Sequence, residues 1–325
     1  MKRLLFFILL AIFLFNLLPV LILEYMDSDE ILLPGLSADK TVRVWFPEEQ
    51  KVKTLQLEEY IVGVVAAEMP ASFSPEALKA QAIAARTYTL YKAQINKEHG
   101  NKLHPSDADV CTSPLCCQAW ISPKEEVKRW GYINALFYQK KIRDAVSATK
   151  GMVITYQGKM IDPVYHSTCG GHTEDAKEVW QNDTPYLKGV ECKYDKDSPK
   201  YSTKVEVSLK DIDKAFGTNI SKLHWYSLQR LVSPIKVLSN TNGGRVKKIK
   251  IGNKTFTGTE VRSRLGLNSA KFSVQVKRTG LVFTVKGYGH GVGMCQYGAG
   301  GMAKTGATAE DILNHYYKDI KIVKT

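Results

Sequence analysis

One glutamate in the first third of the chain stands where a carboxyl group can act as an acid. Glu68 lies in a run of small and apolar residues, VVAAEMP at 64–70, shortly before a proline. Because proline cannot continue a helix, the apolar helix leading to Glu68 ends there. The negative end of the helix dipole and the removal of water both raise the pKa of this carboxyl group. It can therefore hold and donate a proton at neutral pH, although a solvated glutamate at the end of a surface helix has the same pattern.

Two apolar helices are predicted to position Glu68. Residues 60–65 have the spacing of a short buried helix that ends at Glu68 or Met69. The second helix starts after Ser74, its predicted cap, and its alanines and nearly continuous apolar surface predict a central location. Arg86 is the lone basic residue of this interior stretch, so it needs an anionic or hydrogen-bonding partner. The alternative is a surface arginine with only its stem buried.

A turn-rich loop at 104–117 combines one imidazole with three thiols. The residues are His104, Cys111, Cys116 and Cys117, a ligand set that tetrahedral zinc accepts. Four protein ligands leave no open coordination position, so such a zinc would be structural. The alternative is a disulfide in which Cys111 pairs with one of the two adjacent cysteines and leaves the other free.

Two further loops carry polar side chains beside glycines. They are DPVYHSTCGGHT at 162–173 and GYGHGVGMCQYGA at 287–299. Glycines let the backbone approach a ligand closely, and tyrosines, imidazoles and amides suit a sugar polymer. A tight structural turn is the alternative for the second loop, whose spacing does not match a phosphate-binding motif. The candidate substrate-binding residues of these loops are Tyr165, His166, Ser167, His290, Gln296 and Tyr297, with Tyr288 as a second stacking face.

Three more cysteines lie outside the 104–117 loop. Cys169 could act as a nucleophile with His166 or a neighbouring histidine as base, but no activating feature follows it. A disulfide between Cys169 and Cys192 is the favoured prediction, since an extracytoplasmic location permits it. Cys295 has no evident partner and is predicted to be a buried free thiol.

The chain as a whole indicates a protein exposed outside the cytoplasm. It has 325 residues, of which 44% are hydrophobic, and a net charge of +13, which favours anionic polymers without choosing among them. Residues 4–23 are almost entirely apolar, the length of a membrane-spanning helix, with Lys2 and Arg3 before them and acidic residues after them. Because no small-residue cleavage site follows, a retained single-pass anchor in the cell membrane is favoured over a cleaved signal peptide. Nucleic acid is then not an expected partner.

Three motifs together resemble one known family. AAEMP at 66–70, SPEALKAQAIAARTY at 74–88 and the loop at 287–299 resemble stage II sporulation protein D of endospore-forming bacteria, and HSTCGGHT at 166–173 continues the resemblance. The resemblance spans almost the whole chain after the anchor. It implies a lytic transglycosylase that cleaves peptidoglycan, with Glu68 as the catalytic residue. Arg86 corresponds to the family's helix arginine and is predicted to bind the substrate strand. It also implies zinc in the 104–117 loop, which some members carry.

The predicted fold class is α+β: an N-terminal membrane anchor, a mostly helical catalytic part and a β-rich part that together form a cleft. The boundaries are an anchor at 1–26, a tether at 27–41 and an extracytoplasmic region at 42–325, possibly of two lobes. Hydrophobic patterning predicts an amphipathic helix at 124–150, a hairpin around 157–158, short strands between 205 and 287, and a last helix at Ala309–Tyr317.

A single compelling carboxylate fits a lytic transglycosylase better than a hydrolase that uses two. One glutamic acid would protonate the glycosidic oxygen and then accept a proton from the sugar's own hydroxyl, with no cofactor needed for catalysis. The resemblance adds the MurNAc–GlcNAc bond, strands stripped of stem peptides, and amidase and membrane partners of a sporulation complex active in engulfment. The rival functions are a non-catalytic wall-binding activator of an amidase and a thiol peptidase that uses Cys169.

Overall fold

The computed structural model describes Arg3 and residues 40–100, 103–180, 182–222, 235–277 and 280–325. The predicted anchor, apart from Arg3, and the predicted tether up to residue 39 lie outside the described residues. In the part of the chain that is described, no helix combines the length and the apolarity that crossing a bilayer requires.

The first half of the described chain is mainly helical. Two antiparallel strands, β1 (Thr41–Phe46) and β2 (Lys51–Gln56), lead into helices α1 (Leu57–Glu68) and α2 (Pro75–His99). Strand β3 (Val110–Cys111) pairs in parallel with β1 and precedes helices α3 (Pro123–Trp130) and α4 (Tyr132–Ala148). Strands β4 (Met152–Tyr156), β5 (Lys159–Met160) and β6 (Tyr165–His166) and helix α5 (Ala176–Trp180) follow.

The next segment is rich in strands. It contains β7 (Ser202–Ser208), α6 (Leu209–Phe216), a 3₁₀ helix (Ile220–Lys222), β8 (Ile235–Asn240), β9 (Val246–Ile251), β10 (Lys254–Thr257), α7 (Gly258–Leu265), β11 (Phe272–Lys277) and β12 (Gly280–Lys286). The sheet orders are β10-β9-β8 and β11-β12-β7.

The chain then returns to the helical part. Strand β13 (Met294–Cys295) pairs in parallel with β6, and helices α8 (Gln296–Lys304) and α9 (Ala309–Tyr316) pack against α2. Strand β14 (Lys321–Lys324) adds to the β4-β5 hairpin. The last elements of the chain therefore complete a structure that the first elements began.

Two hydrophobic cores are present among the described residues. The larger surrounds the alanine-rich helix α2 and includes Tyr60, Ile83, Ile142 and Tyr316. The smaller lies within the strand-rich segment and includes Phe216, Ile249 and Phe283. Small side chains on α2 let its neighbours approach closely, which accounts for its central place. The mixed α+β class predicted from the sequence is confirmed.

The single helix predicted at 124–150 is instead two helices. Gly131 adopts a positive φ of 74° and separates α3 from α4, a conformation that glycine accepts without a Cβ penalty. Helix α3 starts with a capping box between Ser122 and Glu125. The hairpin at 157–158 is confirmed, and the last helix begins after Thr308 as predicted and ends one residue early, at Tyr316.

Arg86 does not face a ligand but closes a buried ion pair. Its guanidinium donates to both carboxylate oxygens of Glu58, at 2.6 and 2.9 Å, and its side chain is only 1% exposed. Its remaining N–H groups donate to the carbonyls of Ala82, Val146 and Met152. The need for an anionic partner is confirmed, but the predicted substrate-binding role is corrected, because every donor of Arg86 is occupied inside the core.

The ion pair predicts that Arg86→Met destabilises the protein strongly. Removing one partner leaves Glu58 buried without its cation, which costs about 3–5 kcal/mol of unfolding free energy. Chemical denaturation of the full chain measures the loss. As a control, Lys140→Met breaks the exposed Lys140–Asp144 pair and should cost less than about 0.5 kcal/mol. An Arg86→Met protein as stable as the wild type would contradict the structural role.

Candidate active site

A cavity of about 410 Å³ opens at the C-terminal end of helix α1. Its lining includes Glu68 and the backbone of the residues around it, with Arg129, Trp130, Ser167, Tyr288, Gln296 and Tyr297. Glu68 supplies the sole carboxylate of this lining within the described residues. Four of the predicted site residues, Glu68, Ser167, Gln296 and Tyr297, thus meet in one pocket.

The Glu68 carboxylate is partly buried and is held by two hydrogen bonds. Its Oε1 accepts the backbone N–H of Ala119 at 2.8 Å, and its Oε2 accepts the amide of Gln296 at 3.4 Å. Burial raises the pKa of Glu68, while both hydrogen bonds and the charge of Arg129 lower it. Burial prevails, so the carboxyl group retains its proton to a higher pH than a solvated glutamate does.

Helix α1 ends at Glu68 for local reasons. Met69 is extended, its N–H donates to the carbonyl of Val65, and Pro70 has no N–H to offer. The last carbonyls of the helix are covered by Arg129, whose Nη1 donates to Ala66 at 2.9 Å and Ala67 at 3.3 Å. This cation offsets part of the negative helix end that faces the carboxylate.

Gln296 links the carboxylate to the core. It is the first residue of helix α8, it is 4% exposed, and its amide also donates to Oε1 of Gln81 on helix α2 at 3.3 Å. The side-chain amide of Gln296 is therefore held by both Glu68 and Gln81. This contact restricts rotation of the Glu68 carboxylate. The 287–299 motif identified Gln296, whereas its contact with Gln81 has no local signal in the sequence.

Arg129 and Trp130 are pocket residues that the sequence analysis missed. They end helix α3, and their place in the pocket depends on the chain reversal at Gly131. A cation and an aromatic residue directly before a glycine were the available signal. Predicting one continuous helix through Gly131 concealed it.

Two tyrosines belong to the pocket lining. Tyr288 is 45% exposed, and Tyr297 packs edge-on against Phe73 with ring centroids 5.2 Å apart. Aromatic faces of this kind suit stacking on sugar rings. Ser167, from the 162–173 loop, adds a hydroxyl to the same lining.

The histidines of the two loops lie outside the pocket lining. His290 accepts the N–H of Val292 on Nδ1 and donates from Nε2 to the carbonyl of Tyr165 at 3.0 Å. His166 bonds the carbonyl of Val292 through Nδ1. Burial lowers the pKa of His290 to about 4 and that of His166 well below its usual value. Both imidazoles are therefore neutral near pH 7, and their bonded nitrogens connect the two loops. Nε2 of His166 is buried and has no hydrogen-bond partner among the described residues. The contact of these two histidines with substrate stays a prediction.

Tyr165 also supports the pocket from behind. Its hydroxyl donates to Oε1 of Gln118 at 2.7 Å, and burial, with the nearby charge of Glu68, raises the pKa of the phenol. Gln118 in turn donates to Thr89 of helix α2. These two hydrogen bonds fix the position of Gln118. They thereby also fix the next residue, Ala119, whose N–H donates to Glu68.

The glycines at 287–299 serve chain packing more than ligand approach. Gly291 and Gly293 both have positive φ, and a Cβ would collide with Arg245 at the first and with the carbonyl of Val164 at the second. The structural turn is thus the better interpretation of these two glycines.

The 104–117 loop brings three of its four predicted metal ligands together. The ligand atoms of His104, Cys116 and Cys117 lie within 4.8 Å of one another. Cys111 lies beside them, with its N–H 3.3 Å from the sulfur of Cys117, and a hydrogen bond from Cys117 lowers the pKa of the Cys111 thiol to about 6. The structure shows these cysteines as free thiols, without the alternative disulfide.

The remaining cysteines differ from the sequence prediction. Cys169 and Cys192 are both free, so the predicted disulfide is absent, and both are fully buried. Burial raises the pKa of Cys169, which disfavours its thiolate and counts against a thiol nucleophile. Cys295 is buried as predicted, but it lies in the same group as the other two.

The fold and the pocket define an α+β protein with one shielded carboxyl group at a helix end, facing an open, tyrosine-lined site. The sequence profile of the family described as "Stage II sporulation protein" matches residues 47–156. The chain is 37% identical over 284 residues to stage II sporulation protein D of Bacillus subtilis (strain 168), covering 87% of this chain and 78% of that protein. Identity to its counterpart from Bacillus amyloliquefaciens is 37% over 286 residues, with the same shares.

A more distant relative has a different name. The amidase enhancer of Bacillus subtilis (strain 168) is 30% identical over an alignment 304 residues long that covers 78% of this chain and 39% of that protein. The two sporulation relatives decide the assignment: the chain belongs to the stage II sporulation protein D family, a family of sporulation proteins. The resemblance stated from the motifs is confirmed.

The geometry of the carboxylate predicts the effect of Gln296→Leu. Its amide bonds the ionised form of Glu68, so removing it should raise the pKa of Glu68 further. The titration of Glu68, followed by NMR on full chain with ¹³C-labelled glutamate, measures the shift against wild type. Gln94→Leu removes the amide that bonds Glu98 on the exposed end of α2 and should leave Glu68 unchanged. A lower or equal pKa in Gln296→Leu would refute the contact.

Proposed function

We propose that the protein is a lytic transglycosylase that cleaves the glycan strands of peptidoglycan during sporulation. The observation that carries the proposal is the partly buried Glu68 carboxyl group, whose pKa is raised and which is the one carboxylate among the described residues of the pocket lining. Inverting and retaining hydrolases place two carboxylates across the scissile bond. A pocket with one carboxyl group suits chemistry in which a single residue is acid first and base second.

The reaction needs two proton transfers at Glu68. The protonated carboxyl group gives its proton to the glycosidic oxygen as the bond from that oxygen to the anomeric carbon breaks. The C6 hydroxyl of the same sugar then attacks the anomeric carbon, and the Glu68 carboxylate takes the hydroxyl proton. The products are an anhydro-ended strand and a strand with a new free hydroxyl, and no water is consumed. The N-acetyl group of the substrate can stabilise the positive charge that develops.

The neighbours of Glu68 suit both stages. Before the reaction, burial favours the proton-bearing form. After donation, the Ala119 N–H, the Gln296 amide and the Arg129 charge all stabilise the carboxylate that must act as base. Tyr288 and Tyr297 offer faces on which sugar rings stack.

The net charge of the whole chain also suits the proposed substrate. The net charge of +13 attracts the acidic polymers of a bacterial wall. The bond proposed to be cleaved is the MurNAc–GlcNAc bond, and the preferred strands are those stripped of stem peptides. The protein would act from the cytoplasmic membrane, held by its N-terminal segment, with an amidase and a membrane protein of the sporulation complex as partners.

The 104–117 loop fits a structural zinc. His104, Cys116 and Cys117 offer nitrogen and sulfur ligands at compatible spacing, and Cys111 is the adjacent fourth candidate. A bound zinc would stabilise the loop. Ala119 follows Cys117 by two residues. A loop fixed by zinc would therefore keep the N–H of Ala119 in position to donate to Glu68.

The competing function is a non-catalytic activator of a wall amidase, which the name of one relative, the amidase enhancer, favours. Such a protein would use the same pocket to hold glycan without cleaving it. The two functions differ in their products on purified glycan strands that carry no stem peptides. A transglycosylase releases anhydro-ended fragments, and an activator leaves the strands intact.

Glu68→Gln should abolish cleavage. General acid catalysis typically contributes about 10²–10⁴-fold, and the amide can neither donate nor accept the required proton, so a loss of at least about 10²-fold is expected. Mass spectrometry of the anhydro-ended products, with glycan binding measured in parallel, separates catalysis from binding. Glu310→Gln, at an exposed site on helix α9, is the matched control and should retain wild-type activity. Undiminished cleavage by Glu68→Gln would refute the mechanism.

A further inference from the structure

A second group of metal-ligating side chains lies inside the protein, apart from the pocket and from the 104–117 loop. It consists of Cys169, Cys192, Asp195 and Cys295, whose ligand atoms all lie within 4.8 Å of one another. All four side chains are fully buried, at 0% exposure. They come from three segments that are distant in sequence, so folding alone brings them together.

The carboxylate of this cluster is incompletely satisfied. Oδ2 of Asp195 accepts the N–H of Gly170 at 2.7 Å and the thiol of Cys169 at 3.1 Å. Oδ1 is buried and has no hydrogen-bond partner among the described residues. A buried carboxylate oxygen without a partner costs free energy, and buried polar atoms in folded proteins nearly always have one. Oδ1 of Asp195 is therefore available to bind a cation.

Two of the three sulfurs lie beside hydrogen-bond donors of the protein. The sulfur of Cys295 receives the backbone N–H groups of Cys169 and Gly298, each at 3.3 Å, the second at the start of helix α8. The sulfur of Cys192 lies 3.2 Å from the hydroxyl of Tyr316. Hydrogen bonds from N–H and O–H donors favour a negatively charged sulfur.

Lys271 would offset part of the charge of a filled site. Arg245 is 3% exposed and donates to the carbonyl of Cys169 at 3.3 Å, but its charge is already paired with the buried Glu174 at 3.7 Å. The charge of Lys271 also acts on Cys169. Three thiolates and one carboxylate around a divalent ion leave a net charge of about −2, of which Lys271 can offset one unit.

We propose that Cys169, Cys192, Cys295 and Asp195 form a structural site for a thiophilic divalent cation, zinc in the first instance. Three sulfurs and one oxygen are a tetrahedral ligand set that zinc accepts, and complete burial leaves no open position for catalysis. A disulfide between any two of the cysteines would leave the third thiol unpaired and Oδ1 of Asp195 without a partner. The metal uses all four groups.

The site would brace the pocket from behind. Cys295 directly precedes Gln296, which bonds Glu68, and Cys169 follows Ser167 of the pocket lining by two residues. One metal ion would therefore join the two loops that the substrate pocket depends on.

Metal content tests the proposal on the purified full chain. Cys116→Ser/Cys117→Ser removes two ligands of the 104–117 loop and leaves the inner cluster intact. This variant should retain about one zinc per chain, measured by elemental mass spectrometry. Adding Cys192→Ser to it should remove that zinc. A loop variant without any zinc, or a triple variant that retains it, would overturn the proposal.

Two further measurements keep the result independent of folding defects. Asp195→Asn preserves shape and should weaken zinc binding by at least about tenfold, whereas Asp195→Cys supplies a fourth sulfur and should bind zinc at least as tightly as the wild type. Cobalt(II) loaded into the loop variant should give the absorption bands of a tetrahedral sulfur-ligated ion, absent after Cys295→Ser. Recovery of a disulfide among Cys169, Cys192 and Cys295, by intact mass of the unreduced chain, would exclude the site.

Discussion

The site depends on one partly buried carboxyl group at the end of an apolar helix. Removing water from Glu68 costs free energy, and the Ala119 N–H and the Gln296 amide recover only part of it. Each of those donors is fixed by further contacts, Gln296 through Gln81 and Ala119 through the loop that contains Gln118. The surrounding fold can be understood as the scaffold that holds these donors in place while a pocket stays open beside them.

The sequence predicted the parts of the site that depend on local pattern. Glu68 was identified because a proline ends its helix, and Gln296 and Tyr297 because they follow a glycine-rich motif. Arg129 and Trp130 were missed, since their place in the pocket depends on the chain reversal at Gly131 and not on helical periodicity. The mixed α+β class followed from patterning, while the pairing of β6 with β13 across more than a hundred residues left no local signal.

Arg86 and the histidines show why residue type alone misleads. An arginine on an apolar helix needs an anion, and a substrate group or a buried glutamate satisfies that need equally well. The structure supplies Glu58. His166 and His290 belong to motifs at the pocket, yet Nδ1 of His166 and both ring nitrogens of His290 bond backbone groups and align the loops. In both cases the sequence indicated correctly that a polar side chain needs a partner. The three-dimensional structure determined which partner it has.

The order in which the pocket residues occur along the chain has a consequence for timing. Glu68 is made early, but Gln296 and Tyr297 lie near the other end, on helix α8, which packs against helix α2. Long-range contacts of this kind form only when the intervening chain has folded. A newly made chain therefore contains Glu68 long before it contains Gln296. The Glu68 carboxylate is held in place only after helix α8 has packed against helix α2.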